Sequence, residues 1–583
     1  MKKLITTALN ETWGSGPYVF LGKWCLLPRN KNHWIDQSFE VLENQWNDRE
    51  KIKRDYDYLK CLNERLLLSL TLFCNEFHNT SEGVEYWRKI IGPWLISYTS
   101  VLLDRWSIIK HAFEINSHYK YNQVENLENN PPVDYLDYFG KVQADRYNLE
   151  IFQDIILTEY IDKVEIEKIK IDNSTYFKKV FSIKNSCRRL AINFIDYLAS
   201  IIDRGDIVIF ESYFSKINYL KLILSLKRVP RAYGTDFSKN YCQKLKNQKK
   251  INRNQLVRIF KFQGNNKFEK FLSKRLIKDI PMAHLEYYGA LASKVNSISL
   301  NPKKIFTANA HFNNEIFKLW VANKSNRGCQ FFTLEHGASI PFARNLMDFE
   351  ELVCDQRLTW SRPYHPKHKQ LPASKLIGIK SASKLSGGYI GVIGSWGSRY
   401  MTRVKGEPIS DQTFESISQV KALHGALVPA IRSVLKVRPF PESSEDDWNL
   451  AQSYKEALGN DLSIDCGSYK NFLEDAKLLL STYPSTNFSE SIVLNKPTIL
   501  MYPRSLWDLS PEFNDIIRLL EEAKIIIYDP IEAAKHINSI WVDPLAWWGS
   551  MRVSMAIKIF KKEALGLNSV ELKTWKEFIR FGE

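Results

Sequence analysis

Three features of the 583-residue sequence predict an α/β fold of two doubly wound, parallel-sheet domains. The length exceeds what one hydrophobic core ordinarily fills. Strand-length apolar runs alternate with helix-length stretches from Ile305 to Trp360 and again from Tyr389 to Tyr528, the pattern of parallel βαβ units. Residues 478–503 then show that pattern in miniature. An apolar run, Leu478 to Leu480, enters Ser481-Thr482-Tyr483-Pro484-Ser485-Thr486; a helix-like segment follows, then Asn495-Lys496-Pro497 and a second apolar run. Pro484 stops the first strand, and Ser485 or Thr486 can cap the helix behind it. A helix starting at the carboxyl end of a parallel strand presents free N–H groups and a partial positive charge, which suits a phosphate. An ordinary capped helix has the same appearance, so the neighbouring elements decide between the two.

Taken in order, residues 4–8 and 18–22 read as opening strands around a polar, glycine-containing loop at 10–16. Apolar residues at 3–4 spacing predict helices over 48–77, 86–113 and 189–202. Segment 122–138 is polar, contains Pro131-Pro132 and reads as a loop. Residues 206–210 (DIVIF) predict a strand and 216–226 the helix after it. Regular alternation returns with strand 305–308, helix 313–322 and strand 330–334, which ends in Glu335-His336-Gly337. Segments 352–355 and 358–360 read as the next strand and turn. The stretch 362–386, rich in Pro, Lys, His and Ser, places the domain boundary near 385. The second domain opens with the buried-type strand 389–394 and the loop Ser395-Trp396-Gly397-Ser398-Arg399. Helix 416–428 and strand 433–437 lead to Arg438-Pro439-Phe440-Pro441; after the Ser-Thr unit come helix 515–523, strand 525–528 and a helical, Trp-rich tail.

Composition narrows the function. The hydrophobic share of 44% and charged share of 25% describe a globular protein, and no run approaches the roughly 20 apolar residues that span a bilayer. The N-terminus MKKLITTALNETWGSG lacks the apolar core of a signal peptide. Eight cysteines without a CxxC pair fit reduced thiols in a cytoplasmic protein and suggest no zinc site. The net charge of +16 is concentrated in 216–278, with Lys227-Arg228, Lys249-Lys250 and Lys274-Arg275. That segment suits an acidic polymer or an anionic membrane face, or is a solvated helical insertion. Nucleic acid is the weakest option, because no binding motif accompanies the charge.

Loops at strand carboxyl ends in two α/β domains put a ligand cleft between them. Four clusters can face it. Ser485-Thr486 offers the helix start; Lys436 and Arg438 flank a strand end, where a guanidinium can grip phosphate bidentately. The 395–399 loop, with Arg399, contains glycine but lacks GxGxxG. Glu335-His336-Gly337 ends a first-domain strand and offers an imidazole able to take a hydroxyl proton near neutral pH. Glu445-Asp446-Asp447 reads as a solvated loop rather than a metal motif.

The order Glu335-His336-Gly337, Arg438-Pro439-Phe440-Pro441, Tyr483-Pro484-Ser485-Thr486 resembles polyol-phosphate transferases of teichoic acid synthesis, GT-B enzymes with cytidine-nucleotide donors. Phe440 stands where those carry a second His. A wider resemblance runs through Thr6-Thr7-Ala8, Phe20-Leu21-Gly22-Lys23-Trp24-Cys25, Ile91-Gly92-Pro93-Trp94, Glu335-His336-Gly337, Thr482-Tyr483-Pro484-Ser485-Thr486, Asn495-Lys496-Pro497-Thr498 and Ala533-Ala534-Lys535-His536 to Trp547-Trp548. On these residues the chain resembles the LIC-type transferase family of bacterial surface-polysaccharide loci. The resemblance implies a GT-B glycosyltransferase of O-antigen or related glycan synthesis, with a CMP-linked acidic keto-sugar as favoured donor, no other cofactor, and a glycan or glycolipid acceptor. The expected architecture is a first, acceptor-side Rossmann-like domain over 1–384 with a helical insertion at about 38–300. A nucleotide-binding domain follows over 385–540, and a tail, 541–583, returns to the first. The expected donor-phosphate set is Arg438, Lys436, Ser485, Thr486, Arg399 and Glu490; the expected catalytic pair is His336 and Glu335, with no metal.

Overall fold

Three five-stranded parallel sheets, rather than two, carry the fold of the computed structural model. The structure describes residues 1–127, 130–172, 186–203, 205–245, 251–337, 349–381, 388–442, 447–568 and 570–582, with side chains from 194 onward in the third of these stretches. The first sheet comprises β1 (Lys3–Ile5), β2 (Tyr18–Phe20), β3 (Phe39–Val41), β4 (Tyr119–Val124) and β5 (Val164–Ile169), ordered 3-2-1-4-5. The second comprises β6 (Ile207–Phe210), β7 (Lys304–Thr307), β8 (Gln330–Leu334), β9 (Gln356–Thr359) and β10 (His368–Gln370), paired in sequence order. The third comprises β11 (Ile390–Ile393), β12 (Leu435–Arg438), β13 (Ser463–Ile464), β14 (Leu478–Ser481) and β15 (Thr498–Leu500), ordered 13-12-11-14-15.

The mixed α/β class with parallel sheets is therefore as the sequence predicts, but the first half divides differently. β1 and β2 do not join β7 and β8; they pair with strands lying inside the stretch read as a helical insertion, 38–300. β4 falls at the start of a segment read as a loop, and β5 went unread. The reason lies in their side chains. β5 reads Val-Glu-Ile-Glu-Lys-Ile with its charged positions exposed, an edge strand without the continuous apolar run of a buried parallel strand. Two long helices, Arg49–His78 and Val84–Ile115, form close to the predicted spans and share one core with the first sheet, Phe113 meeting Tyr119 of β4 at 5.3 Å between rings. Asp48 caps the first by accepting from Lys51 N. In the second, Gly92 lets Phe349 pack against the helix: a Cβ there would come within 2.6 Å of that ring. Among the described residues no helix is long and apolar enough to cross a membrane.

The third sheet follows the sequence reading closely. Ile390, Val392, Leu435, Val437, Leu478 and Leu480 fill one face; Gly391, Ile393 and Leu479 turn to the other, against Phe472 and Leu473. Residues 525–528 contribute a single bridge, Ile526 to Leu500. The tail returns later than residue 541. Met551–Leu565 packs on the third sheet's helices, with Phe560 against Phe488. Its last turns also meet the second sheet's edge, Gln370 Nε2 donating to Lys562 O at 2.9 Å and Ala373 N to Leu565 O at 3.0 Å, and Glu571–Phe581 packs on that sheet's face, burying Trp575, Phe578 and Ile579 against Phe306 and Phe332. The predicted boundary near 385 and the Glu445-Asp446 pair lie outside the described residues.

Candidate functional site

In the third sheet the strand order reverses between β11 and β14, the position where open α/β sheets bind ligands beyond the strand carboxyl ends. Ser481 at the end of β14 and Thr482 after it are buried, and Ser485 is the N-cap of helix Thr486–Val493. The Ser485 side chain makes no capping bond among the described residues, and its hydroxyl stands at that helix start where a ligand's anionic group is favoured. It lines a cavity of about 350 Å³. Trp396 from the loop after β11, Phe440 from the loop after β12, Tyr483, Trp507, and Tyr135 and Phe139 of helix Tyr135–Lys141 give it aromatic walls, and Arg403 and Lys405 line it too.

The two cations are aimed by a strap of hydrogen bonds to the first sheet's layer. Arg399 Nη1 donates to Trp24 O (2.8 Å), Tyr400 OH to Asp145 (2.6 Å), Arg105 Nη2 to Met401 O (3.1 Å), Ser97 Oγ to Thr402 O (2.6 Å) and Asn44 Nδ2 to Ile409 O (3.1 Å). Val404 is buried while its neighbours Arg403 and Lys405 are half-buried and line the cavity. Lys405 lies over the Trp396 ring at 5.2 Å and pairs with Glu407 at 3.2 Å. Arg403 has no ion pair or hydrogen bond among the described residues.

From the second sheet, the end of β8 delivers Glu335-His336-Gly337. Gly337 has φ +123°, and a Cβ there would meet Thr486 Oγ1 at 2.3 Å; the histidine loop and the helix start therefore touch. His336 stacks on Tyr213 (5.3 Å between rings, 27°) from the loop after β6. Burial, then the charges of Arg357 and Arg403, hold its imidazole down at about 4, so it is neutral and has a lone pair available near pH 7. Glu335 is buried, accepts from Trp360 N at 2.7 Å and is pushed up to about 7 by burial. Its Oε1 has no partner among the described residues.

The structure brings Gly337 of the histidine loop against Thr486 of the helix start, and of the expected residues only Ser485 lines the cavity. It corrects the rest of the donor set. Arg399 is buried, its guanidinium bound to Asp145 (2.6 Å) and the Trp24 carbonyl, and does not reach the cavity. Asp145 also accepts from Ala8 N (3.0 Å), so the Thr6-Thr7-Ala8 and Trp24 motifs belong to this joint between the first sheet and the 399–409 strap. Arg438 and Lys436 are both held by Asp465, Lys436 at 3.2 Å; Arg438 also donates to Gly467 O. Neither lines the cavity. Glu490 pairs with Lys375 at 2.8 Å, a tie from the second sheet's side to the helix 486–493. The residues missed are Arg403 and Lys405. Their only trace in the sequence is the spacing Arg403-Val404-Lys405, two cations flanking one apolar residue.

Among curated proteins, none matches the chain significantly. Solved structures similar to it include trehalose-6-phosphate synthase OtsA, at 11% identity and TM-score 0.30 over 56% of this chain and 79% of that one. WaaG, a glycosyltransferase involved in lipopolysaccharide biosynthesis, matches at 10% identity and TM-score 0.28 over 51% and 95%. An O-GlcNAc transferase from Thermobaculum terrenum matches at 9% identity and TM-score 0.34 over 93% and 100%. Likenesses this distant decide neither donor nor acceptor. The sequence match is of another order: the chain belongs to the LIC12162 family of transferases, whose family model spans residues 2–579.

Proposed function

We propose that the protein transfers a glycosyl group from a nucleotide-activated sugar, with a CMP-linked acidic keto-sugar favoured, to a hydroxyl of a surface-glycan or glycolipid acceptor of the O-antigen kind. In this reading the second and third sheets, joined by the returning helix Glu571–Phe581, are the two halves of a GT-B enzyme at the cytoplasmic face of the membrane. The observation that carries the proposal is the cavity at the β11/β14 switch. It combines Arg403, Lys405, the Ser485 helix start and aromatic walls, a set that suits a nucleotide's phosphate and base.

The donor phosphate sits against Arg403, Lys405 and the Ser485 hydroxyl at the positive end of helix Thr486–Val493, which stabilise negative charge as the sugar's bond to the phosphate oxygen breaks. The bonding pair leaves with the nucleotide. The acceptor hydroxyl approaches from the ends of β6 and β8, its oxygen bonding to the anomeric carbon while His336 takes its proton. Phosphate binding against Arg403 reduces one of the charges that depress His336, so donor binding makes it a stronger base. Phe440, in the cavity wall beside Trp396 at 5.8 Å, occupies the place of a polyol-phosphate transferase's second His and favours sugar over alditol-phosphate transfer. The test is the product formed from labelled nucleotide-sugar: a glycosidic product without phosphorus supports the proposal. Product phosphorus would indicate polyol-phosphate transfer, and absence of any nucleotide binding a non-catalytic assembly protein.

A further inference from the structure

At the edge of the second sheet, two neighbouring helices turn apolar side chains outward. Helix Ser186–Ile202 exposes Phe194, Ile195, Tyr197, Leu198, Ile201 and Ile202, each between 45% and 71% accessible. Its inward residues are Asp196, which accepts from Ala232 N and Gly234 N at 2.6 and 2.8 Å, and Ala199. After β6, the edge strand, helix Lys216–Ser225 buries Leu222 and Ile223 but exposes Ile217, Leu220 and Leu224. Arg228 ties the two helices by pairing with Asp203 at 2.7 Å. The last helix extends the face: Arg580 donates to Ser225 O at 3.0 Å, and the adjacent Phe581 is 70% exposed. Apolar surface of this extent seldom faces water without a partner.

The charges around it point to one kind of partner. Lys216, Lys221 and Lys227 are exposed beside the Ile217–Leu224 stripe, and segment 212–228 contains no acidic residue. A second copy of the chain would set these lysines against one another. An anionic bilayer complements both components, taking the apolar side chains into the headgroup–acyl boundary and the lysines at the level of the phosphates. We propose that this face docks the protein on an anionic phospholipid membrane, independently of which donor the cavity takes. Docking in this way needs no membrane-crossing helix.

The test is sedimentation of the full-length protein with phosphatidylcholine vesicles, with and without phosphatidylglycerol. Binding is expected only when the anionic lipid is present, weakening as salt is added. Lys216→Glu with Lys221→Glu and Lys227→Glu should lower it about 100-fold, at about fivefold per position. Ile217→Ser with Leu220→Ser and Leu224→Ser should also lower it, with an unchanged melting temperature and circular dichroism spectrum as controls for folding. No binding to anionic vesicles, equal binding to both vesicle types, or wild-type binding by both folded variants would overturn the proposal. So would a dimer in light scattering that the serine variant splits, since the face would then belong to a second copy.

Discussion

Replacing Gly337 by alanine probes the contact that brings the two halves of the candidate site together. The added methyl would lie 2.3 Å from Thr486 Oγ1, and φ at 337 is +123°. A backbone conformation closed to most L residues costs about 1–3 kcal/mol, and forcing a methyl into occupied space costs about 1–3 kcal/mol more. Gly337→Ala should therefore lose about 2–6 kcal/mol. Thr486→Ala removes the clashing oxygen and leaves its own Cβ 3.4 Å from the new methyl, an ordinary contact. The double variant should keep the backbone penalty and shed the steric one, giving a coupling of about 1–3 kcal/mol across the cycle. The assay is urea unfolding of wild type, both single variants and the double variant. Additivity within about 0.5 kcal/mol would refute the reasoning, because residues that do not touch do not couple.

Three further outcomes follow from the same geometry. Arg399→Met should destabilise by about 1.5–3 kcal/mol, because it removes a charge-assisted hydrogen bond to Asp145 in a buried joint and leaves that carboxylate with Tyr400, Ala8 N and the more distant Arg29 at 3.7 Å; a variant of wild-type stability with weakened donor binding would return Arg399 to the donor site. Glu335 carries a carboxyl raised to about 7, above its unfolded value, so the native state holds the extra proton. Its contribution is fully present below the unfolded value of about 4.3 and is lost as pH rises through 7, about 4 kcal/mol in all. Glu335→Gln should flatten stability between those limits, and an unchanged slope in denaturation at several pH values would contradict the burial argument. His336→Ala should cost about 10²–10⁴ in turnover with donor affinity nearly unchanged. In wild type, the imidazole should titrate near 4 by NMR and rise when nucleotide is added; near-normal turnover in the folded variant would remove His336 from the mechanism.

The parts of this site that were legible in the sequence are those whose signal is local. The apolar run Leu478 to Leu480, the stop at Pro484 and the two hydroxyls after it specify strand, turn and helix start within ten residues, and β14 and helix Thr486–Val493 form there. Glu335-His336-Gly337 was legible for the same reason, as the end of a buried apolar strand. Arg438 and Lys436 were misread because their partner, Asp465, lies on a different segment; a cation at a strand end looks the same whether or not a carboxylate answers it. Arg403 and Lys405 went unnoticed because nothing local distinguishes them. Their direction is imposed by Asn44, Ser97 and Arg105, some 300 residues earlier, which hold the strap's backbone. The separate first sheet was hidden because β5 alternates charged and apolar residues like a solvated surface segment.

The central claim, a nucleotide-phosphate site at the β11/β14 switch, is tested most directly by calorimetric titration of CMP, CDP, UDP and GDP into wild type and Arg403→Met. Arg403 lines the cavity and has no partner among the described residues, so its removal should leave the melting temperature unchanged. A charge-assisted contact to phosphate is worth about 1.5–3 kcal/mol, so affinity for the preferred nucleotide, expected to be a cytidine nucleotide, should fall about 10- to 100-fold. Equal affinity in the two proteins, or no binding of any nucleotide to the wild type, would contradict the claim.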